Sequence, residues 1–333
     1  MAKKLIKGEE EAAMTALEKM YAKYKKTDQI FEAPKSLEEI DTTVERMINP
    51  FLSFDRYLGG APAYGKITTY SAFASCGKTS MALALAGANS DKIIGFCDNE
   101  FNWSDSSYLW IDKYFGIEKE RIHILQPTYL EEGAEMVEDL CNVADIVIFD
   151  GFDSLAPKAE YQATMEDQQM GAQARAYKKF FRRSMGKIYK SKAALIITNH
   201  LYENIGNVYE PFKEPGGRAI SDFASQKLFL TRGNIFDKDK NIVGQDIRVT
   251  INKDKLSGNR GVKFSLPYDN KLGFDIQMDI INNAIDLGLI KVTGSWYSYG
   301  ESKLGQGKDK VRDLLNDNPE LSLELVTRCK ELF

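Results

Sequence analysis

The stretch Lys66 to Ala86, KITTYSAFASCGKTSMALALA, constrains the fold of this chain more than any other. The β-branched and aromatic run Ile67 to Tyr70 reads as a strand. It enters a loop of small residues that closes on Gly77-Lys78-Thr79, and an Ala/Leu-rich helical pattern follows at once. Strand, small-residue loop and helix in this order form the context of a phosphate-binding P-loop. In that reading the nucleotide-binding turn comprises Ala72, Phe73, Ala74, Ser75, Cys76, Gly77, Lys78, Thr79 and Ser80. Its amides and the helix N-terminus point N–H groups at phosphate oxygens. Lys78 reaches the β- and γ-phosphates, and the Thr79 hydroxyl ligates Mg²⁺. One position departs from the pattern: Ala72 stands where the first glycine belongs.

The chain has 333 residues, enough for one large core with small appendages. No apolar run is long enough to span a bilayer, and the start MAKKLIKGEEEAA lacks the apolar core of a signal peptide. The four cysteines, Cys76, Cys97, Cys141 and Cys329, show no paired metal-ligand spacing. Three of them sit in or beside apolar runs, which predicts buried reduced thiols and a cytoplasmic protein. Two histidines exclude a histidine-rich metal site. The net charge of −4 means that any binding of nucleic acid must rest on local positive charge.

Glu9 to Lys26 reads as a helix whose apolar stripe (Ala13, Ala16, Leu17, Met20, Ala22, Tyr24) needs a partner surface. A breaker-rich link around Pro34 follows, so residues 1–35 read as a docking helix and linker. Residues 36–272 alternate strand and helix. Candidate strands are Lys92 to Cys97, Ile122 to Leu125, Ile146 to Asp150, Ala193 to Thr198, Lys227 to Thr231, Asp246 to Asn252 and Val262 to Leu266. Near-continuous apolar strands between helices predict an α/β fold with a central, mostly parallel sheet covered on both faces. Residues 273–333, with helical patterns around Gly294 to Gly300, read as a small separate domain.

Three residues at strand ends carry candidate chemistry. Asp150 ends the run Ile146 to Phe149, and the carboxyl end of a parallel strand faces the ligand crevice of an open α/β sheet. Alone it reads as a turn residue; beside a P-loop it reads as a Mg²⁺ ligand with Thr79. Glu100 ends IIGFCDNE and is placed either to deprotonate an attacking water or as a plain loop glutamate. His200 ends the strand after Ile197 and stands where a sheet meets a γ-phosphate. Tyr108 reads as an adenine-stacking ring or as a packed aromatic between Trp103 and Trp110. His123, inside IHILQP, reads as a satisfied near-core residue.

Gly171 to Lys192 holds Arg175, Lys178, Lys179, Arg182, Arg183, Lys187, Lys190 and Lys192 without one acid. On a helix Arg175, Lys178, Lys179 and Arg182 share a face opposite Tyr177, Phe181, Met185 and Ile188. Such a face is a solvated surface or a polyanion site. Leu201 to Gly217 reads as a long functional loop.

These segments together resemble the RecA-type homologous recombinases of bacterial or phage type. SAFASCGKTS is similar to the family's P-loop, FCDNE to its catalytic-glutamate segment, and DIVIFDGFDSLAPKAE to its Mg²⁺-binding strand. DQQMGAQARAYKKFFRR resembles the first DNA-binding loop and its helix, and TNHLYENIG opens the second. INKDKLSG resembles the segment that reaches ATP across a subunit interface, and GSWYSYGESKLGQGKDKVRDLLNDNPEL the C-terminal domain. The resemblance implies a RecA-like ATPase core with ATP and Mg²⁺ as cofactors and Glu100, Lys78 and His200 as the catalytic set. It implies that Met170, Gly171, Arg175, Lys178, Lys179, Arg182, Ile205, Tyr209, Gly216 and Gly217 line the DNA path. Lys253 and Lys255 would act on the neighbour's ATP, and the first helix would build a helical homo-oligomer on single-stranded DNA that then engages duplex DNA. A single-strand-binding protein and a loader are the further partners implied; a membrane is not. His200 stands where bacterial members carry glutamine, and the chain ends at CKELF without their acidic tail. A hexameric RecA-fold helicase and a DNA-coating filament with weak hydrolysis are the alternative readings.

Overall fold

A computed structural model describes residues 43–333, except 102, 165–170, 205, 207–211, 216, 217, 237 and 238, together with residue 19. The expected docking helix and its linker lie outside the described residues, as do Met170, Ile205, Tyr209, Gly216 and Gly217. The chain divides into two compact units, Met1–Val44 and Glu45–Phe333, and every element below belongs to the second.

Fourteen strands are described. They are β1 Ile67–Ala72, β2 Ile94–Asp98, β3 Ile122–Leu125, β4 Ile146–Asp150, β5 Ala194–His200, β6 Tyr202–Glu203 and β7 Phe212–Lys213. They continue with β8 Gln226–Phe236, β9 Ile242–Asp254, β10 Lys263–Asp269, β11 Gly273–Phe274, β12 Ile290–Thr293, β13 Trp296–Tyr299 and β14 Ser302–Gln306. Nine of them form one sheet in the order β11-β10-β9-β8-β1-β5-β4-β2-β3. Pairing is parallel from β8 through β1, β5, β4 and β2 to β3, and antiparallel from β8 outward to β11. The mostly parallel sheet is therefore present, with an antiparallel wing.

The unbroken apolar runs bury both faces of the central strands. Within β4, Ile146 and Ile148 join one core cluster while Val147 and Phe149 join the other. Alternate residues of a strand point to opposite faces, so a strand covered on both sides must be apolar throughout. The first cluster packs the Lys78–Gly87 helix through Met81, Leu83 and Leu85. The second packs the Ala172–Ser191 helix through Tyr177, Phe181 and Ile188.

Three expectations need correction. β8 and β9 run well past the apolar segments that mark them, because their outer halves are exposed and Arg232-Gly233-Asn234 and Gly244-Gln245 interrupt the apolar run. Inside Leu201 to Gly217 the chain forms the short hairpin β6–β7, pairing Tyr202 with Lys213 and Glu203 with Phe212. Trp296–Tyr299 is the middle strand of the small sheet β12-β13-β14, not helical. Aromatic residues suit a pleated surface, and Gly294 and Gly300, at φ 61° and 57°, supply the turns on either side. The Lys308–Asp317 and Pro319–Lys330 helices bury Val311, Leu315, Leu325 and Cys329 in the same small core as Ile281 and Ile290.

Candidate nucleotide site and basic helix

The parallel strands bring their carboxyl ends to one edge of the sheet. Register places Ala72 of β1 beside His200 of β5, and Asp98 of β2 beside Asp150 of β4. Carbonyl ends, helix N-termini and these polar side chains therefore share one crevice.

The turn after β1 bends through Ser75 and Gly77, both left-handed at φ 57° and 80°. A Cβ on Gly77 would also lie 2.6 Å from Ile247 Cδ1, so both conformation and space require glycine. Lys78 opens the helix; its ammonium donates to the carbonyls of Ala72 (3.4 Å) and Phe73 (3.3 Å). Burial lowers its pKa, and the charges of Glu100 and Asp150 oppose that shift. Arg232 donates to the Ser75 carbonyl at 2.9 Å and fastens β8 to the turn. Ala72 is an ordinary extended residue, fully buried, and paired with both His200 and Leu230. Its φ lies outside the left-handed region, so alanine carries no backbone strain where the pattern has glycine.

Asp150 is buried at the end of β4. Thr79 Oγ1 donates to it at 2.9 Å and Thr198 Oγ1 at 2.6 Å. Burial pushes its pKa up to about 6, Glu100 adds to the rise, and the two hydroxyls oppose it. A carboxylate beside a hydroxyl is a hard oxygen set of the kind Mg²⁺ takes, with water and phosphate completing the shell. Among the described residues no cluster of three or more His, Cys, Asp or Glu could hold a metal without such help.

Glu100 lies two residues beyond β2, which ends at Asp98 rather than at Glu100. Asp98 positions it: Asp98 Oδ1 accepts the Glu100 N–H at 3.1 Å, and Oδ2 accepts Gln126 Nε2 at 2.9 Å. Gly151 makes room for it, since a Cβ there would lie 2.8 Å from Glu100 Cγ. His200 approaches from the other side, its Nε2 3.7 Å from Glu100 Oε1. Its Nδ1 meets Asp153 at 3.0 Å. That bond raises the His200 pKa against the opposing effects of burial and Lys78.

An open cleft beside these groups is lined by Thr79, Asp98, Glu100, Trp103, Trp110 and Asp150, among others. Tyr108 is not among its walls; the Lys119 ammonium sits 4.2 Å from the centre of its ring. Phe96, Trp103 and Trp110 are the aromatic side chains among its walls. His123 is exposed on the edge strand β3 rather than near the core.

Lys253 lies in β9 opposite Lys227, and Lys255 follows the strand end. The Lys253 ammonium donates to the carbonyls of Ser221 and Asp222 of its own chain. Burial, reinforced by Lys255, lowers its pKa to about 8.

The basic run forms the expected helix, Ala172–Ser191, after Gly171 at φ 70°. Arg175, Lys178, Lys179 and Arg182 are exposed, while Tyr177, Phe180 and Phe181 are buried. Arg183 and Lys187 are not part of a free cationic face. Both pair with buried Glu138 of the Leu130–Val143 helix, which also accepts the Ser184 hydroxyl at 2.8 Å. The run itself lacks acids, but a neighbouring helix supplies one.

Spacing alone missed Asp98, Asp153, Gln126 and Thr198, which orient the site, although the first, second and fourth lie within FCDNE, DIVIFDGFDSLAPKAE and TNHLYENIG. Asp98 stands two residues before Glu100, and Asp153 three after Asp150.

Comparison with known proteins agrees with this geometry. Residues 10–273 match the RecA N-terminal domain family, and residues 278–333 match the RecA C-terminal domain family. The RecA protein of Aquifex aeolicus is 33% identical over 305 residues, covering 89% of this chain and 86% of its own length. That of Aquifex pyrophilus is 31% identical over 331 residues, covering 97% and 91%. That of Thermus aquaticus is 33% identical over 282 residues, covering 82% and 81%. With both domain families matched in order along nearly its whole length, the chain belongs to the RecA family.

Proposed function

We propose that this RecA-family recombinase hydrolyses ATP at the row of carboxylates along the carboxyl edge of its parallel sheet. As a family member the chain is a DNA-dependent ATPase that uses ATP and Mg²⁺, forms filaments on DNA and exchanges strands in recombination and repair. In our reading the turn from Ala72 to Ser80 cradles the phosphates and Lys78 leaves its carbonyl partners to meet the β- and γ-oxygens. Thr79 and Asp150 would hold Mg²⁺, which supplies positive charge against the phosphates. Glu100 accepts the proton of the attacking water while the bridging oxygen leaves with ADP, and His200 reads the γ-phosphate. The single observation that carries this reading is the convergence of Lys78, Thr79, Asp150, Glu100 and His200 on one crevice from three strands and a helix.

We assign the exposed Arg175, Lys178, Lys179 and Arg182 to DNA phosphates, with Gly171, Met170, Ile205, Tyr209, Gly216 and Gly217 along the same path. Lys253 and Lys255 serve a neighbouring protomer's nucleotide, and Tyr108, on the same helix as the cleft residues Ser106 and Ser107, the adenine of its own protomer's nucleotide. The functional division is residues 1–35 for assembly, 36–272 for ATP and DNA, and 273–333 as the C-terminal domain. Four free, buried cysteines support a reducing compartment. Base pairing supplies specificity, since exchange between like pairs is near-balanced and mismatches carry the cost. The alternative of a coating filament with weak hydrolysis rests on Ala72, and the unstrained backbone there argues against it. A strand-exchange assay with ATP and with a slowly hydrolysed analogue tests the proposal. Exchange with both and turnover with ATP alone is expected. Filaments without DNA-stimulated phosphate release would restore the coating-protein reading.

A further inference from the structure

Asp153 lies in the turn after β4 with a side chain only 2% exposed, yet no step above uses it. Its carboxylate is a junction. Oδ1 accepts the His200 backbone N–H at 3.2 Å and lies 3.0 Å from His200 Nδ1. Oδ2 accepts the Tyr202 hydroxyl at 3.0 Å, where β6 begins. Its own carbonyl accepts Gln173 Nε2 at 3.3 Å, at the start of the basic helix. Two contacts to one histidine, one to backbone and one to ring, fix both the position and the rotation of the imidazole.

That rotation aims Nε2 at Glu100, 3.7 Å away. With Nδ1–H committed to Asp153, a neutral ring presents a lone pair to the Glu100 carboxylate, which is repulsive. A protonated ring presents N–H groups to both carboxylates, which is attractive. We propose that Asp153 is a positioning residue for hydrolysis: it clamps His200 through Nδ1, so that the charge on His200 decides whether Glu100 is held or free to accept a proton from water. This inference rests on the reading of Glu100 as the base.

The charged groups facing His200 come from three elements. Asp153 follows β4, Glu100 follows β2, and Lys78 opens the P-loop helix. The two acids favour the imidazolium and Lys78 opposes it; the hydrogen bond to Asp153 is the largest of these effects, and the pKa is raised. Burial would raise the Asp153 pKa, but the bonds from His200 and Tyr202 outweigh it and lower the value. Asp153 is therefore the anionic partner. The consequence is an acid brake: as pH falls, His200 gains a proton, pairs with Glu100 and withdraws it from water.

The chain has two histidines, and exposed His123 on β3 is an internal reference. Histidine-labelled, nucleotide-free full-length protein is titrated by NMR. Asp153→Asn should move the His200 midpoint to lower pH and leave His123 in place. Tyr202→Phe, at a residue 54% exposed, should move it the other way, because Asp153 then bonds His200 alone. The ratio of DNA-stimulated ATPase at about pH 6 to that at about pH 8 should rise several-fold in Asp153→Asn. In a His200→Gln background the same substitution should not change that ratio. A His200 midpoint unmoved by both variants overturns the clamp. A moved midpoint with an unchanged activity ratio overturns its coupling to hydrolysis. Parent-rate turnover by Glu100→Gln overturns the base assignment instead, a result the titration does not touch.

Discussion

Ser53 and Asp279, 226 residues apart in sequence, are bonded through the Ser53 N–H to Asp279 Oδ2 at 3.1 Å, and the Ser53 hydroxyl donates to Oδ1. The pair ties the Leu52–Leu58 helix to the Ile276–Asp286 helix. Burial pushes the Asp279 pKa up to about 6 from 3.8, against the bonds from Ser53. The folded chain therefore holds this proton more tightly than the unfolded chain. Stability contributed by Asp279 rises as pH falls through about 6 and levels off below about 3.8. Denaturation of the parent and of Asp279→Asn across this window should show the difference between them changing by on the order of 2–3 kcal/mol. A pH-independent difference would show that Asp279 does not titrate there.

Lys78→Ala should abolish ATP hydrolysis. Its ammonium is buried between two carbonyls and a pair of acids, and Arg232, on the outer side of the turn, is bonded to Ser75. Glu100→Gln should bind ATP and hydrolyse it at least about 10²-fold more slowly, the usual scale for removing a general base. Filament lifetime and phosphate release on single-stranded DNA check both.

Arg175→Ala and Arg182→Ala should weaken single-stranded DNA binding, each lowering the slope of log K against log salt by about 0.7. Lys187→Ala should leave that slope unchanged, because Lys187 serves buried Glu138. Equal slope changes in all three would return the helix to a general cationic surface.

Lys253→Ala/Lys255→Ala mixed with Lys78→Ala should recover part of the DNA-stimulated ATPase. At one kind of mixed contact an intact Lys78 meets intact lysines from its neighbour. The Lys253 ammonium must first leave the carbonyls of Ser221 and Asp222, and a pKa of about 8 leaves it mostly charged at neutral pH. No recovery in mixtures that co-assemble on one DNA would make these lysines structural.

Phe181→Ala should cost about 3–5 kcal/mol in stability, since this ring is fully buried against Phe152 and Phe223. Chemical denaturation measures it. A loss below about 1 kcal/mol would mean that the core closes over the gap.

The sequence by itself determined the strands of the parallel sheet, the P-loop and the helical basic run. Each is a local pattern: apolar runs bury both faces of a strand, glycine takes the left-handed turn at 77, and 3.6-residue spacing separates Tyr177 from Arg175. It also marked Asp150 and His200 at strand ends and Glu100 two residues past one, because a strand end in an α/β sheet is a position that hydrophobic runs reveal. Tertiary structure alone decided what these residues meet. Thr198 reaching Asp150, Gln126 reaching Asp98, and Asp153 turning His200 all depend on the order β1-β5-β4-β2-β3, which no local spacing encodes. The same holds for Glu138, an ordinary helix acid in sequence that removes two lysine-arginine charges from the basic face. The exposed outer halves of β8 and β9 stayed hidden for a related reason: their pairing is made by backbone hydrogen bonds between strands, and backbone groups leave no trace in the order of side chains.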